Sequence, residues 1–253
     1  MALAFSKVRA ALYRQLYFGN FDNTIFLVHY PKAGSTWLRA LIYATITGKN
    51  ASFSELRDSF PSAERRWKGV ANQKLLHTHH PVLPRLGKAR RLYLARRPSD
   101  IVRSYWRHMQ VREKEVANFE EFTRQFLKPS GIDSYGSCRN HLLHAIKFKK
   151  MNRHPLYVVP YEKLLSDPLD VVSEIMEFVQ MPASRQAIEN AIEGNQRDNM
   201  ISRGRNDKWL SSVISKDSSF VASEDSPHRV LEFAESQLSD IEELDGLYLE
   251  LIS

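Results

Sequence analysis

The stretch that most restricts how this chain can fold is Thr24-Ile25-Phe26-Leu27-Val28-His29-Tyr30, followed at once by Pro31-Lys32-Ala33-Gly34-Ser35-Thr36-Trp37. Its first half is short, apolar and rich in β-forming residues, which predicts a buried strand. From Ser35 the pattern turns helical as far as Thr47, and Gly48 supplies a C-terminal stop. A strand, a glycine-bearing turn and a helix in immediate succession aim the N–H groups of the helix start at an anion. Taken alone, the turn could be an ordinary tight connection in which Gly34 relieves crowding. Lys32 and the hydroxyls of Ser35 and Thr36 argue for more, because they add a cation and O–H donors suited to phosphate or sulfate.

The rest of the chain alternates between the two periodicities. Further strands are expected at 74–78, 91–96 and 156–160. Helices are expected at 98–112, 119–127, 135–151, 168–179, 183–193 and 227–251, with Pro98 suited to a first helical turn. Phe5, Val8, Leu12 and Leu16 recur at helical spacing, so residues 4–18 read as an amphipathic helix. Residues 194–226 are polar and show no apolar period. Strands separated by helices imply the α/β class, with a mostly parallel sheet covered on both faces. At 253 residues the chain suits a single domain over 1–253. Within it, 1–20 carries the N-terminal helix, 24–215 the core and 227–253 the C-terminal helix.

Lysine and arginine number 36 against 29 aspartate and glutamate, a formal net charge of +7. Such an excess suits nucleic acid, an anionic membrane surface or a multiply phosphorylated small molecule, and composition does not choose among them. No apolar run reaches the roughly 18 residues of a spanning helix. The first twenty residues mix Lys7, Arg9 and Arg14 into the apolar pattern, unlike a secretory leader. The lone Cys138 excludes an intrachain disulfide and fits a reducing, cytoplasmic setting. The N-terminal stripe with its three basic residues would either pack on the domain or rest on an anionic membrane.

A Walker loop is the obvious alternative for residues 30–37, but there the lysine follows the second glycine, whereas Lys32 precedes Gly34. The octapeptide Tyr30–Trp37 instead resembles the signature of sulfotransferases that use 3′-phosphoadenylyl sulfate (PAPS), Y-P-K-[SA]-G-[TNS]-T-W. The resemblance implies a P-loop-like α/β fold and a nucleotide site made by Lys32, Ala33, Gly34, Ser35, Thr36 and Trp37. In that family the glycine-to-threonine segment holds the 5′-phosphate, the tryptophan packs near the adenine, and the lysine stabilises the bridging oxygen as the S–O bond breaks.

Four further segments resemble the family's elements, and together they span residues 24–215. Arg96-Arg97-Pro98-Ser99-Asp100 through Ser104-Tyr105 is similar to R-[NR]-P-x-D-x-x-x-S-[YF], which assigns the 3′-phosphate to Arg96 and Ser104. An arginine fork suits a phosphate because it donates two parallel bonds. Leu76-His77-Thr78-His79-His80-Pro81 resembles K-T-H-x-P, which makes His79 the general base, with His77 where the family has lysine. Histidine suits that task because its ordinary pKa, about 6.5, lies near working pH. Tyr161-Glu162-Lys163-Leu164 resembles Y-E-[DK]-L, with Tyr161 near the adenine. Ser202 to Trp209 resembles R-K-G-x-x-G-x-W, whose basic pair and first glycine bind the 3′-phosphate, which carries over to Arg203 and Gly204; Ser202 and Asp207 depart from it, implying a looser closure there.

The resemblance implies transfer of a sulfuryl group to a hydroxyl, less often an amine, by in-line displacement. His79 is then the base, Lys32 the charge stabiliser and Ser104 a restraint on that lysine. The product is 3′,5′-adenosine bisphosphate (PAP). The acceptor is a small molecule or saccharide, and neither nucleic acid nor metal is called for. A metal on His77 and His79, which share one face of a strand, is the competing reading; no cysteine pair or carboxylate nearby completes a ligand set. Arg65-Arg66-Trp67-Lys68 forms a cluster for a solvated face or the acceptor entrance, and its basic residues with Arg112 and Lys114 would favour an acidic acceptor. The oligomeric state is not set by these features.

Overall fold

The computed structural model describes residues 24–63, 75–81, 89–112, 116–207, 210 and 231–253. The sheet it contains has four parallel strands: β1 (Ile25–His29), β2 (Leu75–Thr78), β3 (Arg90–Ala95) and β4 (Leu156–Pro160), in the order β2-β1-β3-β4. Every residue of β1 is buried, as a central parallel strand covered on both faces requires. Alternate residues supply two cores. Ile25, Leu27, Leu92 and Leu94 enter one cluster, and Phe26, Val28, Tyr93 and Ala95 the other.

The helices sort onto those two faces. α1 (Ser35–Thr47) puts Leu38, Leu41 and Ile42 against the first cluster. The second cluster takes Ile101, Val102 and Tyr105 from α3 (Pro98–Arg112). β1 therefore connects toward one edge of the sheet and β3 toward the other, and ligands in open α/β sheets bind at such a switch point, outside the strands' carboxyl ends. α2 (Phe53–Ser59), α4 (Phe119–Leu127) and α5 (Cys138–Met151) follow their neighbouring strands. After β4 come α6 (Tyr161–Ser166), α7 (Pro168–Phe178), α8 (Arg185–Gly194), α9 (Arg197–Asn206) and α10 (Glu235–Ile252). α7 and α8 join the first core and α10 the second.

Five points of the sequence reading need correction. α2 was absent from the periodicity, yet its start carries a capping box in which Ser52 accepts from Glu55 N and Glu55 accepts from Ser52 N. The helix expected at 135–151 begins at Cys138, because Gly136 is left-handed at φ 86° and Ser137 caps the first turn through Asn140 N. The segment expected to be irregular from 194 holds α9, a helix with one buried residue, Met200, and hence no apolar stripe to read. Tyr161–Ser166 is a separate helix, and Pro168 at the first turn restarts the chain as α7. The C-terminal helix opens at Glu235 rather than 227. The N-terminal helix, the Arg65–Lys68 cluster, Lys74, Lys114, Lys208 and Trp209 lie outside the described residues.

Candidate active site

The four parallel strands end on one side of the sheet, and each delivers a candidate residue as the chain leaves it. β1 leads to Lys32, β2 to His79, β3 to Arg96 and β4 to Tyr161. Lys32 occupies the left-handed region at φ 69° and Gly34 follows at φ 99°. That conformation costs a lysine on the order of 1 kcal/mol or more, so its surroundings must hold it. One restraint is visible: Arg96 donates from Nη1 to the Lys32 carbonyl at 3.0 Å.

Tyr161 is the hub of this corner. A Cβ on Gly34 would lie 2.3 Å from its ring, so the turn tolerates only glycine while Tyr161 keeps its place. The Arg96 guanidinium lies over the same ring, 4.6 Å from the centroid, and Trp37 meets it edge-on at 6.3 Å. Trp37 Nε1 donates to the Asn195 carbonyl at 3.0 Å. Asn195, beyond α8, also accepts from Arg203 Nη2 on its side-chain oxygen at 2.6 Å, while Arg203 Nη1 donates to the Gly194 carbonyl at 2.6 Å. The fork of Arg203 thus binds the end of α8 and reaches the Trp37 turn through Asn195.

The start of α1 carries no side-chain cap and no acidic residue in its first turn. Its N–H groups and the positive end of the helix dipole therefore face the turn with no acid from the helix's own first turn. Arg39, one turn on, donates to the Ser35 carbonyl at 3.2 Å and to Thr36 Oγ1 at 3.5 Å. Ala33 and Ser35 are buried. Burial, then Arg107, Arg96 and Arg112, lower the Lys32 pKa to about 7. Lys32, Arg112 and Arg107 in turn add to the burial that lowers His108 to about 3. Ser104 lies three and four residues before Arg107 and His108 on α3, a spacing that puts the three along one side of the helix. Cations crowd this corner, and an anion would relieve them.

The histidine side is built differently. Leu27 pairs with His77 and Val28 with Thr78, so the register continues to set His29 beside His79, and strand alternation keeps His29, His77 and His79 on one face. His77 is anchored by the parallel bridge to Ser62: Ala63 N donates to the His77 carbonyl at 2.8 Å, and His77 N to the Pro61 carbonyl at 3.3 Å. His79 lies just past β2, its ring 4.3 Å from that of His29 and 4.9 Å from Tyr135. His79 Nδ1 is 3.4 Å from the His29 carbonyl, and since a carbonyl only accepts, Nδ1 carries the proton and Nε2 is the basic nitrogen. The backbone of His79 is held in turn. His141 Nε2 donates to its carbonyl at 3.1 Å, and Tyr93 O–H donates to His141 Nδ1 at 2.6 Å.

Burial, with His79 and His77 next in importance, holds the His29 pKa well below its ordinary value. His29 Nδ1 donates to the Tyr30 carbonyl at 3.2 Å, which leaves Nε2 as its lone-pair nitrogen, buried and without a hydrogen-bond partner among the described residues. One nitrogen from each of His29, His77 and His79 lies within 4.8 Å of the others.

Lys32 to Trp37, Arg96 and Tyr161 are therefore brought together, and Ser104 lies on α3, the helix that follows Arg96. A Cβ on Gly204 would press on Phe53 and Leu210 at 3.3 Å, which marks close packing of α9 on α2, and Trp37 packs against the same cluster. Asp207, where the resembled pattern has glycine, is buried and accepts from Ser54 N at 2.9 Å, Ser54 Oγ at 3.1 Å and Leu210 N at 2.9 Å. The departure at this position ties α9 to α2 rather than loosening the segment. His29, Arg39, Arg107, His108, His141 and Asn195 escaped the sequence reading. Arg107 and His108 could have been found from their helical spacing to Ser104.

With this geometry in place, a family model described as the sulfotransferase domain matches residues 22–244. The chain belongs to the sulfotransferase domain family. It is 28% identical over 206 residues to cytosolic sulfotransferase 13 of Arabidopsis thaliana, covering 73% of this chain and 62% of that protein. It is 30% identical over 181 residues to flavonol 3-sulfotransferase of Flaveria bidentis, covering 63% of this chain and 57% of the relative. The chain thus spans about three fifths of the length of these curated relatives. Among solved structures, retinol dehydratase in complex with androsterone and the inactive cofactor PAP superposes with a TM-score of 0.72 at 16% identity, covering 96% of this chain and 85% of that one. A mouse sulfotransferase complexed with PAP gives 0.65 at 19%, covering 92% and 87%. These likenesses establish the fold that sulfotransferase-domain sequences share.

Proposed function

We propose that this chain, as one domain over 1–253, transfers a sulfuryl group from PAPS to a hydroxyl, less often an amine, of a small-molecule or saccharide acceptor. The observation that carries the proposal is the convergence of an uncapped helix start, Lys32 and Arg96 beside His79 at adjacent strand ends. The residues present fit a polyanionic nucleotide. The helix start lacks an acid, and Lys32 is depressed to about 7 by burial and three arginines.

PAPS supplies an activated sulfuryl group when bound. The backbone and hydroxyls from Gly34 to Thr36 would hold its 5′-phosphate, Arg96 and Ser104 its 3′-phosphate, and Tyr161 and Trp37 its adenine. Arg203 contributes by bracing Asn195 and hence Trp37. His79 accepts the acceptor's proton on Nε2, the nitrogen its Nδ1 bond leaves basic. Lys32 offsets the charge on the leaving oxygen, Ser104 restrains it, and fixed cations do this work in place of a metal. Aligned groups and preset charge account for the acceleration, as in phosphoryl transfer.

Flavonols in the name of one relative and androsterone in one fold neighbour support a small-molecule acceptor. The cytosolic name of another relative supports a cytoplasmic setting, and no described helix is long and apolar enough to cross a membrane. The deciding experiment is a thermal shift with PAP followed by an acceptor screen with labelled PAPS. A ligand at a hundred times its Kd stabilises by about 2.7 kcal/mol. The melting temperature should rise accordingly, and a flat response at saturating PAP would sink the proposal.

A further inference from the structure

We propose that His29, His77 and His79 form a binding site for a divalent transition-metal ion of the zinc class. Three imidazoles with one open position are a recurrent zinc donor set, and imidazole suits this class better than it suits magnesium or calcium. A tetrahedral ion with bonds of about 2.0–2.1 Å brings its ligand nitrogens to roughly 3.4 Å of one another. Here one nitrogen from each ring already lies within 4.8 Å of the others, so closing the set takes an approach of at most about 1.4 Å.

The backbone prepares two of the three rings. His29 and His79 each direct Nδ1 at a carbonyl, of Tyr30 and His29 respectively, which selects the tautomer whose Nε2 carries the lone pair. Such carbonyl contacts are the usual outer support of metal-bound histidines. At His29 the arrangement has a further sign. Its Nε2 is buried with no hydrogen-bond partner among the described residues, a condition that is costly unless something satisfies it. His77 is fixed on the same face by the Ser62 bridge, and its ring stacks 5.6 Å from that of His29.

Occupancy has a consequence that rests on His79 being the base. The nitrogen that would take the acceptor's proton is the same lone pair that would bind the ion, so the two uses exclude each other. Zinc is thus a reversible inhibitor of this chain, through residues outside the nucleotide cradle.

The test is cobalt(II) titrated into the full chain, followed by its visible spectrum. The expected result is one equivalent giving the intense band of four-coordinate cobalt, displaced by zinc. His29→Ala and His77→Ala should each weaken cobalt by about tenfold or more. Because His29 is wholly buried, His77→Gln at a half-buried position carries the same comparison if His29→Ala does not fold. The weak spectrum of six-coordinate cobalt, or unchanged affinity in the His77 variants, would overturn the site. In labelled-donor assays, zinc should reduce turnover in a chelator-reversible way. Full turnover at saturating zinc would overturn the competition. The cobalt spectrum needs no catalytic turnover, so failure of the sulfotransfer proposal and failure of the metal site are told apart.

Discussion

The turn after β1 and the histidine cluster adjoin in sequence at His29 and Tyr30, yet they solve opposite electrostatic problems. The turn gathers positive charge. A helix start without an acid, Lys32, Arg96 and the nearby Arg107 and Arg112 face one another, and burial drives the lysine to about 7. The cluster gathers lone pairs. Burial keeps His29 neutral, and carbonyl contacts at His29 and His79 leave basic nitrogens. The first arrangement is completed by an anion and the second by a proton or a metal ion. A transferase needs both kinds of place, since one holds the donor and the other accepts what the acceptor must lose.

Substitutions should separate the two regions. The largest effect is expected at His79: alanine there should lower kcat by roughly 100-fold or more while leaving PAP affinity within a factor of about two. Near-normal turnover would remove His79 from the role of base. Arg96→Ala should do the reverse and weaken PAP by about 1.5–3 kcal/mol, the scale of a charged hydrogen bond. Titration calorimetry measures this directly, and unchanged affinity would contradict the 3′-phosphate assignment.

A smaller signal should come from Lys32. Its pKa of about 7 lies below the ordinary lysine value, so between about 7 and 10 the unfolded chain holds more protons at this residue than the free folded protein. Lys32 therefore makes the free protein more stable as pH rises through that window. A bound bisphosphate favours the ammonium and raises its pKa, so PAP binding should take up a fraction of a proton near pH 8 and little near pH 6. Calorimetry in buffers of different ionisation heat reads this, and Lys32→Met should abolish it. Equal heats at pH 8 would show that the lysine does not answer to the anion.

How much of this was legible beforehand follows the range over which each feature acts. α1 was readable to its last residue, because Gly34 and Gly48 punctuate it locally. α9 was not, since it is held by Asn195, Arg203 and Asp207 rather than by an apolar stripe. α2 announced itself only through Ser52 and Glu55, a cap without a preceding pattern. The resemblance assigns Arg203 to a phosphate, and in the structure its fork donates to the Gly194 carbonyl and the Asn195 side chain.

By itself the sequence determined the strand, the turn and the uncapped helix that follows it. The spacing of Lys32, Gly34, Ser35 and Thr36 is a matter of neighbouring residues, and backbone geometry does the rest. It also determined that the sheet would be parallel and doubly covered, through the apolar runs and their separation. Only the tertiary structure decided that His29 joins His77 and His79, because the register between β1 and β2 is set across 50 residues by packing, not by local preference. The same holds for Tyr161, whose ring fills the space that Gly34 leaves open and carries Arg96 above it.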